Sequence, residues 1–399
     1  MTKSFLLAFL SMFLFGTILL FAVYVHISRN ESEYALLWMQ PTVSGNDHAF
    51  TATYKDGTLY ASSKAHDMIY AINASNGEII WNKRVRECTV SPCIDGNFIY
   101  VSELLPLLPA PDKPRAIALN RTTGEEIWHF ADIEPDDYSW VGCPLVCGDY
   151  VYYTTWGSVY ALNKTNGNHI WHQNIGKVVC SVAYHDCMVF VSALPGQYAF
   201  NATTGDIAWH VNYGSSWDSS PIIYDGMVIQ ACRPVTEGYT CVLNETSGEL
   251  IRKFWKGTLS TPLVHDGKIF IPTSREMFAF DLMTGEELWH TPALHDGTYQ
   301  NLSYCSPAGA CGAIYYQSLN GTFYVIDETD GSILWSYMLE GNGFGNPTIG
   351  DGCVFVTNDA GLYAFKTSRD VGSGEWPMYC QNCQHISYSE NDTEPVREK

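Results

Sequence analysis

The chain has 399 residues, of which 46% are hydrophobic, 14% aromatic and only 16% charged. That composition supplies a sizeable core and carries too little charge for a disordered chain. The formal net charge of −20 repels phosphate, which excludes nucleic acid as a partner and disfavours adsorption to anionic lipid headgroups.

Residues 5–25 read FLLAFLSMFLFGTILLFAVYV, an uncharged run preceded by Lys3. As a helix rising ~1.5 Å per residue it spans ~30 Å, the thickness of a hydrocarbon core. A secretory h-region is shorter, about 7–15 residues, and ends at a small-residue cleavage site. No Ala-x-Ala pattern and no nearby cysteine for lipid attachment follows this run. Residues 1–28 therefore read as an uncleaved signal anchor, with a cleaved signal as the alternative. Lys3 and the terminal amine favour an N-inside orientation, weakened by Arg29. The expected product is a single-pass cell-membrane protein with the rest of the chain outside the cytoplasm, or a secreted one if the segment is cleaved.

Beyond this segment, self-similarity dominates. AINASNGEIIW (71–81), ALNRTTGEEIW (118–128), ALNKTNGNHIW (161–171), AFNATTGDIAW (199–209), VLNETSGELIR (242–252), AFDLMTGEELW (279–289) and VIDETDGSILW (325–335) repeat one motif, and AFKTSRDVGSGEW (364–376) is a looser eighth copy. Gly77, Gly124, Gly167, Gly205, Gly248, Gly285 and Gly331 recur every 37 to 47 residues, the period of a four-stranded propeller blade. Each position has a reason. Asn or Asp opens a turn by bonding its own backbone. The glycine supplies a positive φ. Trp81, Trp128, Trp171, Trp209, Trp289 and Trp335 lie on the strand that follows, where a flat ring fills the wedge between blades and its N–H reaches a carbonyl.

Upstream of the copies stand Asp-Gly couples between β-rich runs, as in SSPIIYDGMVIQ (219–230) and STPLVHDGKIFI (260–271), a strong hairpin signal. Each unit thus reads strand, Asp-Gly turn, strand, variable loop, strand, Asn-x-x-Thr-Gly turn, Trp strand. Eight such units predict an all-β, eight-bladed propeller with four-stranded antiparallel blades over residues 29–376, followed by a tail, 377–399. Trp38 stands where the Trp strand of a preceding blade belongs, so residues 34–39 are expected to complete the last blade, with Trp376 competing for that place. Arg252 occupies a tryptophan position, and Trp255, shifted, is its expected substitute.

Thirteen cysteines suit an oxidising compartment. Most form close couples, such as Cys88/Cys93, Cys143/Cys147, Cys180/Cys187, Cys232/Cys241 and Cys305/Cys311. Four residues of straight strand separate Cα atoms by ~13 Å, beyond disulfide reach, so the connectivity stays open. In the tail, Cys380 and Cys383 read as a local disulfide. Gln384 breaks the Cys-x-x-Cys-His pattern of a haem site, and a zinc site needs further ligands, so no metal is predicted. His129, His172, His210 and His290 each follow a repeat tryptophan and read as structural. Asn73, Asn120, Asn163, Asn201 and Asn244 lie in Asn-x-Ser/Thr sequons at one turn position; the turn consensus creates the sequon, and glycosylation of an exported chain stays open.

The repeat Ala-x-Asn/Asp-x-x-Thr-Gly-x-x-x-Trp resembles the tryptophan-docking repeat of the pyrroloquinoline-quinone (PQQ) propeller superfamily over about residues 34–376. The segment GEWPMYCQNCQHISYS (374–389) is similar to the Trp-Pro-Met-Phe…His signature of many prokaryotic, notably archaeal, propellers of this type. The resemblance implies either a quinoprotein dehydrogenase using PQQ and calcium on alcohols or sugars, or a non-catalytic member such as the propeller lipoprotein of bacterial outer-membrane assembly. The catalytic members are typically longer, and many carry adjacent cysteines over the quinone; no Cys-Cys pair occurs here. No Glu/Asn/Asp set for calcium stands out, so no cofactor and no catalytic residue is predicted.

Function is then expected in what varies between blades. Trp140, Trp217, Asp218, Tyr304 and Phe344 fall in the links from one blade to the next. Glu103, Trp156, Arg233 and Arg275 fall in the loops between second and third strands, which share the same face. The loop SELLPLLPAPDKPR (102–115) is long and proline-rich, and its leucines suit a partner contact. The expected function is a binding scaffold for an envelope or extracellular protein, or a glycan; an extracellular sensor or assembly factor is a related alternative.

Overall fold

The computed structural model describes residues 34–41 and 51–367, apart from 64–65, 87, 89, 104–114, 134–141, 179, 195, 215–218, 233–237, 274, 295–304 and 344. The expected anchor (5–25), Trp376 and the Cys380/Cys383 couple lie outside the described residues. Among those residues, no helix is long and apolar enough to cross a membrane.

Eight antiparallel sheets form the blades. Blade 1 runs through Thr53–Lys55, Thr58–Ser63, Met68–Asn73 and Ile79–Arg84. Blades 2 to 7 repeat this order over 93–130, 145–174, 183–211, 222–254, 263–290 and 308–338. Blade 4 gains a short extra strand, Lys177–Val178, beside Leu194 and Ala193. Blade 8 takes three strands from the end of the described chain, Thr348–Gly350, Cys353–Thr357 and Leu362–Thr367, and its outer strand from the beginning, Tyr34–Gln40. Trp38 pairs with Ala364 in that sheet, so residues 34–39 do close the ring and no sheet edge is left along the join.

Burial follows strand position. The second and third strands are nearly continuous buried runs, whereas the outer strand of blade 1 alternates half-buried and exposed residues. Middle strands are covered by the blades on both sides; outer strands meet solvent on one face.

Both turn sets meet on one face of the ring. Asp56 (φ 48°) and Gly57 (φ 74°) form a two-residue turn with positive φ at both positions, matching strand twist. In blade 2 the register moves by one residue: Asp95 pairs with Phe98, so Gly96 and Asn97 make the turn, and the Asp95 carboxylate accepts from Lys164 Nζ of blade 3 at 2.8 Å. The residue after the Asn or Asp of the other turn donates its N–H to this hairpin, from Ala74 to Gly57 O (3.0 Å) in blade 1 through Glu328 to Gly312 O (3.0 Å) in blade 7, and in blade 8, where Lys366 replaces the Asn or Asp, Thr367 does the same to Gly352 O (2.9 Å). The loops between second and third strands, and the links between blades, therefore emerge on the opposite face.

Docking between blades is the same chemistry repeated. The indole N–H groups of Trp38, Trp81, Trp128, Trp171, Trp209 and Trp289 donate to the carbonyls of Ala74, Arg121, Lys164, Ala202, Glu245 and Glu328 in the next blade, at 2.8–3.1 Å. Each ring lies on the glycine of that blade's turn; a Cβ on Gly205 would meet Trp171 Cδ2 at 2.7 Å. Trp335 instead stacks on Tyr34, ring centroids 5.5 Å apart.

Arg252 corrects the expectation for blade 5. Its own guanidinium fills the socket: Nη2 donates to Met283 O at 2.7 Å, and Gly285 lies beneath it as Gly248 lies beneath Trp209. Trp255 is not the substitute. It is 71% exposed and meets Tyr239 of its own blade edge to face. Arginine serves because it is planar and carries N–H donors, the two properties the socket uses.

At the inner end, residues preceding each first strand form a hydrogen-bonded chain around the ring. Cys143 N–H donates to Ser181 Oγ (2.8 Å), Ser181 to Ser220 (3.2 Å), Ser220 to Thr261 (2.9 Å), Thr261 to Ser306 (3.0 Å) and Ser306 to Asn346 Oδ1 (2.6 Å). Asn346 Nδ2 then donates to Thr51 Oγ1 at 2.9 Å, joining blade 8 to blade 1.

Candidate functional site on the loop face

The turn face is committed to internal bonding. Arg121 reaches Asp56 at 2.7 Å and Lys164 reaches Asp95 at 2.8 Å. Glu245 pairs with His185 at 2.5 Å, and Glu328 with His265 at 3.1 Å and Lys268 at 3.2 Å. All these pairs cross from one blade to the next. The loop face is where sequence and environment vary.

Of the residues expected there, Glu103, Trp156 and Arg275 are described. Glu103 ends the second strand of blade 2 and is 2% exposed. Its two carboxylate oxygens are taken by Arg115 Nε at 2.5 Å and by Arg86 Nε at 3.3 Å, with the Arg86 backbone N–H at 3.2 Å. Burial alone would raise its pKa, but these hydrogen bonds and charges outweigh it and hold the carboxyl below the ordinary glutamate value. Glu103 is thus a brace across the base of segment 104–114 rather than a group presented to a partner. Trp156 is half-buried; Lys177 Nζ stands 5.3 Å from its ring, and its carbonyl accepts from Val178 N–H. Arg275 is exposed, three blades from Trp156, and its carbonyl accepts from Leu294 N–H at 2.7 Å. The structure does not bring these three side chains together. Trp140, Trp217, Asp218, Arg233, Tyr304 and Phe344 lie outside the described residues.

Sequence reasoning missed a polar layer beneath the loops. Ser62, Ser102, Ser192, Gln230 and Gln317 interrupt the ends of otherwise apolar second strands and are buried. The recurrence of a polar residue at that strand position is the signal that could have found them. Some are satisfied: Ser62 Oγ donates to Val90 O at 3.1 Å, and Gln230 Nε2 to Ser219 O at 2.8 Å. Others are not: Ser102 Oγ in blade 2, Ser158 Oγ in blade 3, and Ser192 Oγ, Gln197 Oε1, Ser219 Oγ and Gln230 Oε1 in blades 4 and 5 are buried without a hydrogen-bond partner. Each such atom costs about 1–3 kcal/mol, and a cluster of them points to a bound water, ion or ligand group. The cluster adjoins the disulfide Cys232–Cys241, toward which Gln197 Nε2 points at 3.7 Å, and it borders segments 215–218 and 233–237. That disulfide joins the ends of the second and third strands of blade 5, where Ala231 pairs with Thr240. Cys88, Cys93, Cys187 and Cys353 are free thiols.

Among the described residues, no three His, Cys, Asp or Glu side chains converge to hold a metal ion. The buried groups under the loops are hydroxyls and amides, and the buried Glu103 carboxylate is engaged by two arginines. A calcium-bound quinone therefore finds no carboxylate ligand set in these residues.

Eight four-stranded blades, closed through the N-terminal strand and docked by tryptophan on glycine, define a PQQ-type propeller. Three stretches, 30–177, 155–303 and 274–382, match the family of the outer membrane protein assembly factor BamB, and the chain belongs to that family. BamB from Moraxella catarrhalis superposes with a TM-score of 0.67 at 17% identity, covering 84% of this chain and 99% of that one. A europium-containing methanol dehydrogenase superposes at 0.65 with 14% identity, covering 83% and 84%. These likenesses show the fold alone. The tetrathionate hydrolase of Acidithiobacillus ferrooxidans is 26% identical over 308 residues, 73% of this chain. The chain spans about half the length of that relative, 53%.

Proposed function

We propose that this protein is a non-catalytic propeller, tethered through residues 5–25, that works outside the cytoplasm and binds an envelope or extracellular protein through its loop face. The carrying observation is the contrast between the faces. The turn face spends its charges on pairs between blades, whereas the loop-face ends of blades 2 to 5 hold buried hydroxyl and amide atoms without partners, four of them in blades 4 and 5. The family's assembly-factor member supports a protein partner, and a glycan is a second class that the loop face would suit. The same fold also carries methanol and alcohol dehydrogenases; in the described residues that reading lacks a metal-ligand set.

The test is capture of cross-linked partners by the detergent-solubilised full chain and by a variant in which 104–114 is replaced by a short Gly-Ser linker. Glu103 and Arg115 are kept, because their ion pair closes the base of this loop. A specific partner held by the full chain and lost from the variant supports the reading. A visible quinone spectrum with dye-linked alcohol oxidation, on adding PQQ and calcium, would overturn it.

A further inference from the structure

The end of the outer strand of blade 5 and the two residues after it read Arg252, Lys253, Phe254, Trp255 and Lys256, three cations within five residues of a chain that has 22 lysines and arginines against 42 acidic residues. Arg252 is spent in the docking socket. The other two are not paired with carboxylates: among the described residues no Asp or Glu oxygen lies within 4 Å of either ammonium, and both stand over aromatic rings instead. Lys253 Nζ is 4.1 Å from the Tyr239 centroid and 5.8 Å from both Tyr213 and Trp255. Lys256 Nζ is 3.5 Å from the Phe278 centroid. Ring faces hold a cation in place without neutralising it.

The rings form a rigid platform. Tyr239 donates its hydroxyl to Tyr213 O at 2.6 Å, and Tyr239 and Trp255 meet edge to face with centroids 5.7 Å apart. That packing uses the edge of the pair and leaves Trp255 71% exposed. Tyr213 follows the outer strand of blade 4, Tyr239 precedes the third strand of blade 5, and Trp255 follows its outer strand. All three are therefore at the loop-face end, beside the unsatisfied cluster.

We infer that Tyr213, Tyr239, Trp255, Lys253 and Lys256 form a binding platform for an acidic glycan, a polymer of uronic acid residues. An exposed indole face stacks on the C–H face of a pyranose ring, as apolar contact with a polar rim. The two ammonium groups complement carboxylates at successive sugars, as a local positive patch on a chain whose net charge of −20 otherwise opposes polyanions. An acidic polypeptide is the competing occupant, and poly-glutamate in the test below separates the two. The platform rests on the loop-face binding reading and refines it.

The test is affinity electrophoresis of the solubilised full chain in gels containing polygalacturonate, neutral dextran or poly-glutamate. Retardation by polygalacturonate is expected, weakened about tenfold by Trp255→Ala and by Lys253→Met with Lys256→Met, partly kept by Trp255→Phe, and suppressed by 0.5 M salt. Unchanged far-UV circular dichroism separates lost binding from lost fold, since Trp255 packs into no seam. No retardation by polygalacturonate, equal retardation by dextran, or stronger retardation by poly-glutamate would overturn the inference. Protein capture through segment 104–114 is a separate readout, so the platform and the partner reading fail independently.

Discussion

Replacing the blade-docking residues should give unequal losses, because the sockets are alike and the plugs differ. Trp209 is 8% exposed and donates to Glu245 O at 2.8 Å. An indole buries about 150–250 Å², which at about 25 cal/mol per Å² is about 4–6 kcal/mol as an upper bound. Trp209→Ala should therefore cost about 4 kcal/mol, within the usual range for a buried tryptophan. Arg252 sits in the equivalent socket but is half-exposed, and its acceptor belongs to Met283, a residue 64% exposed, so water can replace the lost donor. Arg252→Ala should cost only about 1 kcal/mol. The backbone under the two plugs is the same, with Gly248 at φ 72° and Gly285 at φ 77°. Arg252→Trp should thus restore the indole and add about 1 kcal/mol or more. Urea denaturation followed by far-UV circular dichroism measures all three. Equal losses for the two alanine variants, or a destabilised Arg252→Trp, would refute the equivalence of the sockets.

Gly205→Ala and Gly57→Ala separate contact from conformation. Both glycines have φ near +75°, but a Cβ at Gly205 would strike the Trp171 ring whereas one at Gly57 would meet open space. Denaturation midpoints should show a loss of about 1 kcal/mol for Gly57→Ala and about 3 kcal/mol for Gly205→Ala. At the base of 104–114, Arg115→Met should destabilise more than Glu103→Gln, because the first leaves Oε2 of a buried carboxylate without its arginine while Arg86 keeps only Oε1, and the second leaves two solvent-accessible arginines; the expected cost of Arg115→Met is about 2 kcal/mol, read by thermal melts. The pair His265–Glu328 should make stability depend on pH. The hydrogen bond that His265 donates to Glu328 raises the His265 pKa against burial, so its contribution is full below about pH 6.5 and is lost as pH rises through the folded value. Burial would raise Glu328, but His265 and Lys268 hold it lower, so its contribution is present above about pH 4.5 and is lost as pH falls through the folded value. His265→Gln should therefore cost most between about pH 4.5 and 6.5 and least near pH 9, measured by denaturant titration at each pH; a constant difference would sink the argument.

How much of this was legible before the structure differs by element. The repeat gave blade number, strand order and both turns, because each of its positions answers to a local requirement: Gly77 to a positive φ, Asn73 to a turn, Ala71 and Ile72 to a buried strand. Closure through Trp38 was legible for the same reason, as a tryptophan at the right distance from Asp56-Gly57. Arg252 was misjudged with Trp255 as its substitute, because a socket is a shape with an acceptor, and arginine meets both needs without resembling tryptophan in sequence. Glu103 reads as a loop residue free for a partner, yet Arg115 from the neighbouring strand and Arg86 from the link between blades 1 and 2 converge on it, a contact that no local pattern announces.

The sequence by itself determined the ring: eight units of four strands, joined end to end, because propeller repeats place their requirements within one period of the chain. The tertiary structure decided what the ring leaves unmet. Only with blades 4 and 5 side by side do Ser192, Gln197, Ser219 and Gln230 gather without partners, and do Tyr213, Tyr239 and Trp255 surround one lysine. Those groups lie tens of residues apart, and burial, charge pairing and ring contact are set by distance in space, which the repeat fixes for the blades but not for the loops between them.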